Sequence, residues 1–367
     1  APVGTVSPGG MSARWGRTIV AKRVSTRRRV GATTLELPVF GFGSAHIGEL
    51  YALVSEEDSR GTLQAAWDAG VRYFDTAPWY GRGLSEHRLG GFLRTMPRDA
   101  FQITTKVGRT LHRPRDPRAF SRAPWLGGLN FDVRFDYSRG GVLRSYEQAL
   151  QRLALDTVDA LLIHDLDALI HGDPALVAAY ERQLIDDGGL AALQELKAAG
   201  DIRAYGMGLN TAEALMTTAQ KVDLDFALVA MPYTLLDQST LHTGMAGFVR
   251  RGVSVIIGAP FASGILVTGS QTGAKYAYGA APPEVQARVR GSEAVCAAHS
   301  VPLPAAALQF VLAHPAVVSV IPGAARASEI AENVRHLERP IPSAFWADLK
   351  SQGLIDPGSP VPDGVAA

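Results

Sequence analysis

Cysteine is nearly absent from this chain. Cys296 is the only one in 367 residues, so no internal disulfide can form, and a reducing compartment such as the cytoplasm is expected. Net charge is small too. The 36 Lys and Arg against 35 Asp and Glu leave +1, which gives no overall attraction to nucleic acid or to an anionic membrane. No apolar run reaches the roughly 18 residues that span a bilayer. Residues 1–30 lack the apolar core of a signal peptide. Met11 fits a natural start with a foreign leader before it, and the basic cluster from Arg14 to Arg29 reads as a mobile solvated arm. The nine histidines and Cys296 show no metal-ligand spacing, so no metal is expected. A dinucleotide fingerprint is also missing, because GFGSAHIG at 41–48 does not follow GxGxxG.

Apolar residues, by contrast, make up 47% of the chain, ample for a large core. Short β-type runs alternate with helical patterns. The runs are 39–42, 71–75, 101–106, 157–164, 202–208, 226–231, 253–259 and 318–322. Most are continuously apolar, as parallel strands buried on both faces require. Ser55 is an N-cap candidate for the helix that follows it, with Asp58 three residues on and Gly70 as its stop. Eight strands each followed by a helix predict a (β/α)8 TIM barrel, with a doubly wound sheet as the alternative. The expected layout is a basic arm over 1–30, a barrel over 31–355 and a tail over 356–367. Residues 107–140 and 165–188 read as long loops after the third and fourth strands. Both leave the C-terminal ends of strands, where barrel active sites lie, and are candidates for substrate selection.

Four polar residues sit at that rim: Asp75, Tyr80, Lys106 and His164. Each alone has an ordinary structural reading as a turn cap, a core phenol, a solvated lysine or a satisfied histidine. Together they suit proton transfer by tyrosine. A free phenol has a pKa near 10; a nearby ammonium stabilises the phenolate, and a paired aspartate holds the ammonium. A neutral histidine can orient a substrate oxygen. Side chains cannot transfer hydride, so a nicotinamide cofactor is implied.

FDTAPWYG with LSEHRLG, then TTKVG and LLIHD, resembles the aldo-keto reductase superfamily from about Thr33 to about Leu349. The resemblance implies that Asp75, Tyr80, Lys106 and His164 form a catalytic tetrad. It implies cofactor contacts less evenly. Asn210 in GMGLN takes the place of one nicotinamide-binding residue, but its partner serine is missing, and Ala230 replaces a glutamine. Tyr233 is the expected ring to stack on the nicotinamide. APFASGIL resembles a pyrophosphate-binding loop, giving Pro260, Phe261, Ser263 and Gly264. IPGAARASEIAEN resembles an adenosine-binding segment, giving Gly323, Arg326, Glu329, Glu332 and Asn333. Gly323 and Glu329 stand where NADP-preferring members carry cations, which argues for NAD. Arg326, expected on one helix face with Glu329, leaves NADP open.

Within the superfamily, APWYGRGLSEHRLG, FDYSRGGVLRS and LIHDLD look most like the aldose 1-dehydrogenases acting on L-fucose and D-threo-aldoses, with pyridoxal 4-dehydrogenase closely similar. The implied reaction is oxidation of a cyclic hemiacetal to a lactone. His46, Trp79 and Trp125 are expected at the substrate, while His112 and Arg113 lie either near a polar substrate or in solvent. The partner expected is a small molecule, with oligomeric state open. Two other functions fit the same motifs: a general NADPH-dependent aldehyde or ketone reductase, and a redox-sensing accessory subunit.

Overall fold

The computed structural model describes residues 24–363, Thr272 and Tyr278 apart. Eight strands pair in parallel in chain order: β1 (Phe42–Gly43), β2 (Tyr73–Asp75), β3 (Gln102–Val107), β4 (Ala160–His164), β5 (Ala204–Leu209), β6 (Phe226–Val229), β7 (Ser254–Ile257) and β8 (Val317–Val320). Parallel bridges Phe40↔Val320 and Gly43↔Gly323 join the first strand to the last. The sheet is thus closed, a (β/α)8 barrel rather than a doubly wound sheet. Each of the eight expected apolar runs overlaps one of these strands, four of them containing it whole.

Side chains alternate along each strand. Tyr73, Ala160, Leu162, Ala204, Phe226, Leu228, Ile256 and Val318 fill the barrel. Phe74, Ile103, Leu161, Ile163, Ala227 and Val255 point outward to the helices. The helix Glu56–Asp68 starts on Ser55, whose hydroxyl accepts from the Asp58 amide at 3.0 Å, and stops before Gly70 at φ +88°. A cap of this kind contributes about 1 kcal/mol.

Three boundary expectations change. The chain is ordered into strand by Arg27, inside the expected arm: Arg27–Arg29 pairs antiparallel with Glu36–Pro38, and Val30, Leu35 and Leu37 plug the barrel floor against Tyr73 and Phe226. Residues 1–23, with Met11 and most of the basic cluster, lie outside the described residues. Of the expected tail, Asp356 donates its amide to Gln238 and Ser359 is buried, while 364–367 lie outside the described residues. Finally, 165–188 is largely helical. Asp167 and Asp173 cap Ala168–His171 and Pro174–Ile185, the second with proline at its first turn. That Asp-Pro start was the available signal.

Candidate active site

Period-two alternation decides which residues meet. Asp75, Lys106 and His164 are the last or next-to-last residues of three adjacent strands, in register with the inward set. Lys106 Nζ donates to Asp75 Oδ2 at 2.6 Å and to the Thr76 carbonyl at 2.8 Å. Thr104, two residues back on β3, donates to Asp75 Oδ1 at 2.8 Å and lies 3.0 Å from the Tyr73 hydroxyl. Asp75 and Lys106 are each 1% exposed, so the pair is dry and its remaining lone pairs are satisfied. Burial pushes the Asp75 carboxyl above its usual range, opposed by Lys106.

Tyr80 rides a turn built backbone against backbone. Gly81 has φ +62°, and a Cβ there would come within 2.6 Å of the Gly48 carbonyl oxygen. The Tyr80 ring lies 4.7 Å below Lys106 Nζ, 6.1 Å from the His164 ring and 5.9 Å from Trp125. Burial, then the carboxylates of Asp75 and Asp165, push its phenol well above the ordinary value; the cation opposing this is Arg109. The Lys106 ammonium, held by Asp75 and Thr76, lies against the same ring. Burial, then Arg109 and Lys106, hold His164 well below the ordinary range, so the imidazole is neutral.

Trp79 and Trp125 come together as expected, edge to face at 5.6 Å. Trp125 reaches the site because its long loop is tied down. Arg82 donates to the Phe131 and Ser121 carbonyls at 3.0 and 3.2 Å, and Gly128 donates to Glu49 at 3.1 Å. His46 does not join this wall. It sits near the Tyr51 ring, 5.9 Å away, within the electrostatic reach of Glu329, and a Cβ on Gly323 would run into its Nδ1. Its neighbourhood is the expected cofactor side.

The cofactor candidates divide. Asn210 Nδ2 donates to Asp165 Oδ1 at 2.6 Å. Pro260 and Phe261 lead into Ala262, Ser263 and Gly264, three consecutive residues with positive φ, a turn that exposes backbone to a close ligand. Tyr233 is a correction. It is fully buried, stacked on Phe310 at 5.7 Å and against His314 at 5.1 Å, so it presents no face to a nicotinamide. Arg326 is also corrected: it is the exposed N-cap of Ala327–Glu338, not a helical residue beside Glu329. Glu329 Oε2 accepts from the Ala325 and Arg326 amides at 2.7 and 3.3 Å, closing its own helix. Glu332 is exposed, 4.0 Å from Arg335, and Asn333 is buried.

Sequence reasoning missed Arg109 and Asp165. Arg109 is 2% exposed, pairs with Asp165 Oδ2 at 2.6 Å and lies 5.0 Å from the Trp79 ring centroid. Asp165 Oδ2 is also 3.1 Å from His164 Nε2. The signals were there: an arginine three residues after the rim lysine, and an aspartate directly after the rim histidine.

With this geometry in place, comparison identifies the lineage. The model of the aldo/keto reductase family matches residues 39–353. The chain belongs to the aldo/keto reductase family. This aldo-keto reductase is 40% identical to a pyridoxal 4-dehydrogenase of Microbacterium luteolum over 91% of its length and 99% of that protein's. It is 36% identical to a D-threo-aldose 1-dehydrogenase of a Pseudomonas species, over 90% and 98% of the two. Among solved structures, an aldo-keto reductase from Bacillus halodurans in its holo form superposes with a TM-score of 0.67 at 24% identity, covering 90% of this chain and 97% of that one. That likeness shows the fold. Family membership makes the protein an oxidoreductase of small molecules that uses a nicotinamide dinucleotide. The residues fit such a group at the Ala262–Gly264 turn and at Asn210; Tyr233 does not.

Proposed function

We propose that this aldo-keto reductase oxidises the cyclic hemiacetal of an aldose, of the L-fucose or D-threo type, to its lactone, with NAD⁺ as acceptor. The observation that carries the reading is the charge state of the mouth. Asp75 is paired with Lys106 and Asp165 with Arg109, each at 2.6 Å, and His164 is neutral. A site with its charges matched in pairs suits a neutral hydroxyl or carbonyl oxygen, not an anion.

In this reading Asp75, Tyr80, Lys106 and His164 form the catalytic tetrad. His164 donates to the substrate oxygen and holds it toward Tyr80. Tyr80 takes the hydroxyl proton as the C1–O single bond becomes the lactone C=O. Lys106, fixed by Asp75 and Thr76, lies against the Tyr80 ring. When bound, oxidised nicotinamide supplies the acceptor for the C1 hydrogen and its electron pair, and a positive charge beside the phenol. Asn210 and the turn Pro260–Gly264 would hold that cofactor, with Gly323, Glu329 and His46 toward its far end. Trp79 and Trp125 wall the sugar and exclude water. The lone unpaired thiol of Cys296 accords with a reducing, cytoplasmic setting.

A second reading is supported by the 40% identity to pyridoxal 4-dehydrogenase and by the indole pair, which would also face an aromatic hemiacetal. One panel separates them: aldoses, pyridoxal and open-chain aldehydes with NAD⁺ and NADP⁺, followed by nicotinamide absorbance and chromatography of products. A lactone from an aldose with NAD⁺ is expected. Lactone from pyridoxal alone favours the second reading. Reduction of open-chain aldehydes by NADPH, with no lactone formed, defeats both.

A further inference from the structure

The Asp165 carboxylate meets three nitrogens. Oδ2 accepts from Arg109 Nη2 at 2.6 Å and lies 3.1 Å from His164 Nε2; Oδ1 accepts from Asn210 Nδ2 at 2.6 Å. Its backbone sits at φ +49°, a conformation that residues with side chains rarely adopt unless their surroundings impose it. Arg109 arrives from the start of the long third loop and is 2% exposed. Its guanidinium lies 5.0 Å from the ring centroids of both Trp79 and Phe135. Among the described residues Asp165 is its hydrogen-bond partner, and its Nε is buried with none. Two side chains outside the tetrad thus join the substrate-side histidine to the cofactor-side asparagine.

The charges around His164 make the consequence specific. Tyr80, Lys106 and Arg109 face the ring and Asp165 faces Nε2. Behind it the Tyr137 hydroxyl donates to the His164 carbonyl at 2.6 Å and meets His171 at 3.3 Å. Without Arg109, Asp165 would be an unpaired carboxylate buried beside a buried imidazole. Such an arrangement is unfavourable until a proton is taken up, on Asp165 or on His164.

We propose that Arg109 and Asp165 act as one neutral positioning unit: Arg109 cancels the Asp165 carboxylate, so that His164 remains an uncharged donor, while Asp165 anchors Asn210. The unit rests on the proton-transfer reading of Tyr80 and His164, not on which substrate is used. Arg109 and Asp165 are positioning residues, acting through His164 and Asn210.

The test compares Arg109→Met, Asp165→Asn and the double variant. Arg109→Met is expected to lower kcat/KM at neutral pH by about 10- to 100-fold, since it strands a buried charge. Its acid limb should move to higher pH. Adding Asp165→Asn should restore about tenfold or more and return the limb, because the stranded carboxylate is gone. Arg109→Lys, which keeps the charge, should fall between Arg109→Met and the wild type. A second readout needs no substrate. Folded Arg109→Met takes up a proton that its unfolded chain does not, so its deficit in Tm against the double variant should be largest at pH 8 and shrink at pH 5. A double variant no more active and no more stable than Arg109→Met overturns the proposal, as does Arg109→Met activity within about threefold of wild type. If the wild type forms no lactone, the proposed function fails while the Tm comparison still decides this one.

Discussion

The mouth of the barrel has two unlike rims. On the side of β2, β3 and β4, the charged groups sit on strands or just past their ends, buried and paired: Asp75 with Lys106, Arg109 with Asp165. On the side of β7 and β8 they are turns and helix starts: Ala262–Gly264 with positive φ, Gly323 at a strand bridge, and the exposed Arg326. The difference is mechanical. Strand periodicity and close packing leave the first rim few alternatives, and removing one member strands a charge in a dry site. The second rim presents backbone and solvated side chains, where single changes act locally and weakly. In the proposed reading, proton chemistry lies on the stiff rim and cofactor choice on the adjustable one.

The largest effect should come from the stiff rim. Tyr80→Phe keeps the ring and removes only the proton-transfer group. It should cut kcat by about 10²- to 10⁴-fold with dinucleotide binding, read by fluorescence, close to normal. Activity above about a tenth of wild type would contradict the role given to Tyr80. In the wild type the phenol is held well above its ordinary pKa. Oxidation, which needs the deprotonated form, should therefore climb with pH through the neutral and alkaline range.

Next comes the pair beneath it. Lys106→Met leaves Asp75 buried without its cation, and should abolish turnover and lower stability by about 3–5 kcal/mol in denaturant unfolding. Adding Asp75→Asn should recover stability without activity. If Lys106→Met unfolds like the wild type, the rim is less rigid than the contrast requires.

Trp125→Ala probes the wall between the rims. It removes ring contacts with Trp79 and Tyr80, each worth about 0.5–1.5 kcal/mol. KM for the sugar should rise on the order of tenfold, with cofactor affinity unchanged; a shift in cofactor affinity instead would put Trp125 on the other rim.

The smallest effects belong to the adjustable rim. The wild type should prefer NAD⁺ by about tenfold in kcat/KM, the loss expected from one missing charge-assisted bond. Glu329→Arg should narrow or invert that ratio. Glu329→Gln should narrow it less, while weakening the helix start by about 1 kcal/mol. Gly323→Lys should fail to improve NADP⁺ use unless His46 is also made small, because His46 occupies the space. A wild-type ratio near one means that Arg326 serves the 2′-phosphate, and Arg326→Ala would then impair NADP⁺ alone.

The sequence by itself determined the barrel and the stiff rim. Eight apolar runs with punctuating helices admit few folds, and alternation along β2, β3 and β4 puts Asp75, Lys106 and His164 inward because a strand leaves only two directions. The five-residue Asp-Tyr spacing, followed by Gly81 and Gly83, placed Tyr80 as well. What only tertiary structure decided lies where the backbone leaves regular elements. Tyr233 falls inward onto Phe310 and His314 because the turn after β6 faces the helix Leu303–Ala313. His46 goes to Gly323 because the bridge Gly43↔Gly323 brings the two turns together. Arg109 and Asp165, 56 residues apart, pair because a hairpin, Arg109–His112 with Asp132–Phe135, begins at the end of β3 and β4 ends beside it. A short-range pattern fixes which way a strand residue points; which distant charge meets it depends on loop paths that no local periodicity encodes.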